Sequence, residues 1–136
     1  MDRLYARSVF FVADAERSRR FYTEQLGFSL DWDSGDGVFQ VSLFGFELIL
    51  NEVWNRTRTR AGHGRVFIGL DEDQEEPFFG HLAGRGIRVS RVEWGRPTLV
   101  IRDADGNELF FWLPHDDVRR LEQFPMEERA TLESGS

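Results

Sequence analysis

The sequence predicts an α+β chain made of two paired βαβββ modules, and three observations predict it. The order strand, helix, strand, strand, strand runs twice along 136 residues. Clusters of Gly, Asp, Ser and Asn punctuate the strands where turns belong. The length suits one domain, 1–136, that buries a core without metals or disulfides. Hydrophobic content of 40% and aromatic content of 14%, with thirteen Phe, favour a folded chain over a disordered one.

The first module spans residues 4–53. Leu4 to Ala13 is an apolar run rich in β-formers and reads as a strand. Asp14 follows as a helix cap, because its carboxylate can accept from backbone N–H groups left unpaired in the first turn. Ala15, Ser18, Phe21, Tyr22 and Leu26 then recur at helical spacing, with charged residues between them. Gly27 stands where a left-handed residue ends a helix. Strands follow at Phe28 to Trp32, Val38 to Phe44 and Phe46 to Val53, the first two separated by Asp33-Ser34-Gly35-Asp36-Gly37.

A polar linker, 54–63, leads to the second module at 64–114. Arg65 to Leu70 reads as a strand. Asp73 to Arg85 reads as a helix, with Pro77 in its first turns, Phe78 and Leu82 on one face, and Gly86 as the stop. Further strands are expected at Ile87 to Val92, Thr98 to Arg102 and Glu108 to Leu113, the last two joined by the turn Asp103-Ala104-Asp105-Gly106-Asn107. Identity between the modules is low, and the order of elements carries the repeat. The tail, 115–136, holds six acids and three Arg; a short helix over Asp116 to Gln123 and a frayed end are expected.

Seventeen basic residues, all Arg, stand against 24 acidic ones, for a net charge of -7. That balance argues against binding to nucleic acid or to an anionic membrane surface, which both call for positive charge. With no cysteine, disulfides, thiol nucleophiles and thiolate metal sites are excluded. The absence of lysine removes Schiff-base chemistry and the Walker phosphate loop. No apolar run approaches the roughly 20 residues of a transmembrane helix, and residues 1–7 lack the pattern of a secretion signal. A soluble cytoplasmic protein is the expectation.

Val12-Ala13-Asp14 leading into Ser18-x-x-Phe21-Tyr22, then Leu26-Gly27-Phe28, and in the second half Trp94-Gly95-Arg96 with Asp103-Ala104-Asp105-Gly106-Asn107, resemble the vicinal oxygen chelate superfamily in order and spacing. That superfamily holds glyoxalase I, bleomycin-resistance proteins, fosfomycin-resistance enzymes and extradiol dioxygenases. The resemblance covers about residues 4 to 114 and is nearest the metal-free bleomycin-resistance branch. It implies a cupped eight-stranded mixed sheet, formed of two four-stranded sheets around a cavity with the helices outside. It also implies a homodimer, in which each subunit can supply half of a site.

Strand alternation says which residues face the cup. Arg7, Val9 and Phe11 face in on the first strand; Glu47, Ile49 and Asn51 on the fourth; Arg65, Phe67 and Gly69 on the fifth; Phe110 and Trp112 on the eighth. Trp32 and Trp54 stand at strand ends, as rim or interface residues. Trp94 belongs to the turn motif and is expected to be structural.

The superfamily's metal enzymes use four ligands, and by resemblance these positions fall on Arg7, Glu47, Arg65 and Phe110. Neither guanidinium nor phenyl offers a lone pair to an ion, so no metal and no cofactor are expected. His63, two residues before Arg65, would join Glu47 only if the strand slipped by two. Glu47 is instead expected to answer Arg7 and Arg65, either as a staple or in contact with a ligand.

The first reading is a metal-free binding or sequestration protein for an aromatic natural product or antibiotic. Its site would be Arg7, Phe11, Trp32, Glu47, Asn51, Trp54, Arg65, Phe67, Phe110 and Trp112. The alternative is a lyase, isomerase or dioxygenase of the same superfamily, with a relocated or absent metal and Glu47 as general base. A third is a partner-binding module whose cup is closed by Phe110 and Trp112. The charge of the ligand stays open.

Overall fold

The computed structural model describes residues 4–53, 60–95, 97–114, 122, 124 and 125. Strand β1 (Ser8–Val12) is followed by α1 (Ala15–Arg20), then β2 (Ser29–Asp33), β3 (Val38–Leu43) and β4 (Phe46–Glu52). The second half repeats this with β5 (Arg65–Gly69), α2 (Glu72–Leu82), β6 (Ser90–Glu93), β7 (Pro97–Arg102) and β8 (Glu108–Trp112). The strands form two separate four-stranded sheets, ordered β1-β4-β3-β2 and β5-β8-β7-β6, rather than one continuous sheet. In each, the first strand of the module lies parallel to the last, and the other pairings are antiparallel.

Local chemistry sets the ends of the helices. The Asp14 side chain accepts from the Arg17 N–H at 3.1 Å and caps α1. After Arg20 the coil widens into a π-helical turn (Phe21–Gln25), where the Leu26 N–H reaches back five residues to Phe21 O at 3.0 Å. The wider turn leaves Tyr22 fully buried. Helix α2 starts earlier than the sequence suggests, because Asp71 and Gln74 form a reciprocal capping box. Pro77 therefore lies in the second turn, where it has no N–H to offer the Asp73 carbonyl four residues back. The helix stops at Leu82 because Ala83 turns extended, at ψ 136°.

Strand limits differ in a few places. Leu4 and Tyr5 precede β1 and are 87% and 76% exposed. Strand β3 ends at Leu43, because Phe44 and Gly45 form a two-residue hairpin turn in which Phe44 takes φ 50°. Ile87 and Val89 lie before β6 but are buried all the same. Phe124 in the tail is buried against Phe79, and Pro125 O accepts from the Val89 N–H at 3.0 Å, so this part of the tail is packed; the end expected to fray lies outside the described residues. The short helix expected over 116–123 lies outside the described residues, Glu122 apart.

One cluster of buried side chains draws on both halves, including Phe10, Tyr22, Phe39 and Leu48 from the first and Phe78, Leu99, Leu109 and Phe111 from the second. The halves meet through their helix-bearing sides. Tyr22 donates to Asp103 Oδ2 at 2.9 Å, and Asp105 Oδ1 accepts from the Ala13 N–H and from Arg17. Asn107 donates to Phe11 O at 3.0 Å, while its Oδ1 accepts from the Gly64 N–H at 2.8 Å. In return, His81 Nε2 on α2 donates to Leu26 O at 2.9 Å. The Asp103–Asn107 turn is thus a clamp between modules. Gly62 adopts φ 85° beside it, and a Cβ there would stand 2.0 Å from Asp105 O. No helix among the described residues is long and apolar enough to cross a membrane.

Candidate functional site

Because the core lies on the helix sides, the opposite face of each sheet is left open. Phe10, Val12, Leu48 and Leu50 are buried, while Val9 between them is 44% exposed. In the second sheet Leu109, Phe111 and Leu113 are buried, while Phe67 is 45% exposed. The alternation read from the sequence therefore holds on β1, β4, β5 and β8. The candidate residues fall into two groups, one on each open face, and Trp54 lies outside the described residues.

On the first sheet, register sets Phe11 opposite Asn51 and Val9 opposite Ile49, which brings Arg7 beside Glu47. Arg7 Nε donates to Glu47 Oε1 at 3.0 Å, and this bond holds the guanidinium charged even more firmly than usual. A second Arg7 nitrogen donates to the Tyr5 hydroxyl at 3.2 Å. Trp32 lies opposite Gln40 on β2, where the register shifts by one residue at Asp31. Asp31 consequently turns to the open face and accepts from Gln40 and Ser42. Asp31 was missed in the sequence, since a bulge leaves no mark in the hydrophobic pattern.

On the second sheet, Arg65 lies opposite Glu108, Phe67 opposite Phe110, and Gly69 opposite Trp112. Arg65 Nε donates to Glu108 Oε1 at 2.8 Å, and Arg102 binds Glu108 Oε2 at 3.0 Å. Arg65 thus answers Glu108 and not Glu47, because the cross-strand register makes those two direct neighbours. Each half repeats one device: an Arg at the start of its first strand (Arg7 just before β1, Arg65 opening β5), bound through Nε to Oε1 of a Glu on its last.

Beside that pair stands an aromatic wall. Phe67 stacks on Trp94 with centroids 5.3 Å apart and planes 28° from parallel. Trp94 also meets Phe110 at 4.9 Å, and Phe67 meets Trp112 at 5.7 Å. The Trp112 indole N–H donates to the Trp94 main-chain O at 3.1 Å, which orients the Trp112 ring and ties down the Trp94 backbone. Phe110 is nearly buried beneath them, whereas Trp94 is 51% exposed. Trp94 therefore belongs to the open face and not only to the turn. The signal was its parity: Ser90 and Val92 share a face with Val100 and Thr98, and Trp94 continues the same alternation.

The donor set does not fit the metal that the superfamily's enzymes hold. Of the four positions, only Glu47 offers a lone pair, and its Oε1 already accepts from Arg7. Strand β5 starts at Arg65 without a slip, so His63 stays ahead of it, lining a shallow hollow with Val9, Phe11 and Arg60. Among the described residues no three His, Asp or Glu gather as a metal site.

The profile of the Glyoxalase/Bleomycin resistance protein/Dioxygenase superfamily matches residues 5–111. Among solved structures, the chain is similar to the bleomycin-binding protein from bleomycin-producing Streptomyces verticillus, complexed with copper(II)-bleomycin. That match has a TM-score of 0.61 at 17% identity, over 85% of this chain and 99% of that one. TnmS3, an antibiotic binding protein from Streptomyces sp. CB03234, matches with a TM-score of 0.55 at 25% identity, over 82% and 98%. Lactoylglutathione lyase from Agrobacterium tumefaciens matches with a TM-score of 0.58 at 16% identity, over 89% and 97%. No curated protein sequence matches.

Proposed function

Since this chain belongs to the glyoxalase/bleomycin resistance protein/dioxygenase superfamily, we propose that it is a binding protein that sequesters an aromatic small molecule, of the natural-product or antibiotic kind, without a metal. One observation carries the reading: Phe67 and Trp94 are stacked and half exposed on the open sheet face, with the Trp94 backbone tied to Trp112. Aromatic faces stacked in this way offer a planar ligand a large contact area. The antibiotic-binding neighbours support the ligand class.

A second copy of the chain completes the site in this proposal. Both sheets leave apolar side chains exposed on one face, Val9 and Trp32 on one and Phe67 and Trp94 on the other. A homodimer that sets one face over the other encloses the ligand, with Arg7, Phe11, Glu47 and Asn51 on the wall opposite the aromatic one. The proposed setting is the cytoplasm, and no nucleic acid or membrane takes part.

The test is a tryptophan-quenching titration of the intact dimer with a panel of aromatic antibiotics, followed by recovery and mass analysis of the ligand. Binding that Trp94→Ala weakens about tenfold, an aromatic contact's worth, with the ligand recovered unaltered, is the expected result. An altered ligand, with turnover lost in Glu47→Gln, would make the protein an enzyme and overturn the proposal.

A further inference from the structure

We propose that the seam between the two halves holds a second binding site, for a small neutral aromatic molecule with one hydrogen-bond acceptor. A cleft of about 160 Å³ lies between the β3–β4 turn and the start of α2. It is on the helix side of both sheets: Ile68 and Phe111 point into it, while their neighbours Phe67 and Phe110 point to the open face. The two sites are therefore separate.

The lining selects the ligand. Phe28, Phe44 and Phe46 reach in from the first half, Phe78 and Phe111 from the second. An apolar cavity of about 150 Å³ is one that stays dry and takes benzene, so this space suits a single ring. A charged ligand finds no counter-charge, because no lining residue is ionisable. Gln74 is the one polar side chain on the lining, and its Oε1 already accepts from the Asp71 N–H at 2.8 Å. Its amide NH2 is left to donate, which selects a phenol, an aryl ether or an aryl ketone.

Phe44 supplies the second observation. It is the one non-glycine residue with positive φ among those described, at 50°, and its ring is 54% exposed. Hairpin turns of this shape favour Asn, Asp or Gly at that position. A bulky residue held there is a strained choice of the kind that marks ligand clamps. The ring stands edge-on to His81 at 5.8 Å, exposed on one side and lining the cleft on the other. It is placed as a door.

Methyl-resolved NMR of the full chain, titrated with phenol, tests this. The signals of Leu43, Ile68 and Leu70 are expected to shift to saturation. Phe44→Asn, which gives the turn its preferred Asn-Gly pair, weakens that binding about tenfold. Benzoate leaves the signals unmoved. Phenol that shifts none of these methyls up to its solubility limit, or that binds Phe44→Asn equally well, would overturn the inference. The Trp94 indole signal reports the open face in the same titration, so either site can fail without the other.

Discussion

The hydroxyl of Tyr22 donates to Oδ2 of Asp103 at 2.9 Å, joining the widened turn after α1 to the clamp of the other half, with both residues buried. Burial pushes the Asp103 carboxyl above the ordinary carboxylate range, and bonds from Asn107, Tyr22 and Asp105 oppose that rise. The same burial, and the charge of Asp103, push the Tyr22 phenol well above its usual value, so it remains a donor.

Removing that donor has a signed consequence. Tyr22→Phe is expected to lose about 1–3 kcal/mol of stability by urea denaturation, the cost of a buried carboxylate deprived of one partner. The Asp103 carboxyl, followed by NMR titration, should move further up in the variant, because a bond to its charged form is gone. An acid raised in the fold binds its proton more tightly folded than unfolded. Its contribution to stability therefore falls as pH rises from the ordinary carboxylate value through the raised one. An unchanged or lowered Asp103 midpoint in Tyr22→Phe would refute the assignment.

Asn107 is fully buried and serves Phe11 O, Asp103 Oδ2 and the Gly64 N–H together. Asn107→Ala strands the Gly64 N–H and takes one of two donors from Phe11 O, which keeps the Gly62 N–H, and from Asp103 Oδ2, which keeps Tyr22; a loss of about 2 kcal/mol or more in chemical denaturation is expected. A loss under about 1 kcal/mol would mean that water replaces the amide.

The two Arg–Glu pairs are alike in geometry but differ in burial, and the variants should separate them. The Arg7 and Glu47 side chains are 34% and 38% exposed, so Glu47→Gln is expected to leave the melting temperature nearly unchanged at moderate salt. Glu108 is 14% exposed and shared by Arg65 and Arg102. Glu108→Gln should lower stability by on the order of 1–2 kcal/mol. Equal effects from the two would contradict this ranking.

At the β3–β4 turn, Phe44→Asn replaces a bulky side chain at φ 50° with one that tolerates this conformation. A gain of about 1 kcal/mol is expected in thermal unfolding. Destabilisation would show that the Phe44 contact with His81 outweighs the backbone strain.

Period and punctuation made most of this legible in the sequence. Alternation identified both faces of β1, β4, β5 and β8, since the inward residues differ from their neighbours in chemistry. Pairing between charges was harder to read. Glu47 was matched with Arg65 because both belong to one resembled ligand set, whereas distance depends on register, and register set Arg65 against Glu108. The Asp31 bulge and the π-helical turn each come from one extra residue in a regular pattern, and the sequence does not mark which residue is extra. The turn residues Asp103 to Asn107 were legible as a turn, but their partners in the first half were not.

Those partners are distant along the chain: Tyr22 lies 81 residues from Asp103, and Phe11 lies 96 from Asn107. The first half thus cannot satisfy its buried Tyr22 hydroxyl until the second has been synthesised. A ribosome releasing this chain releases an unfinished module, with the Tyr22 hydroxyl waiting for Asp103 until most of the chain has been made. Two halves that look like duplicates of a self-sufficient unit have become mutually dependent. Severed at the linker, they would be expected to fold only when mixed.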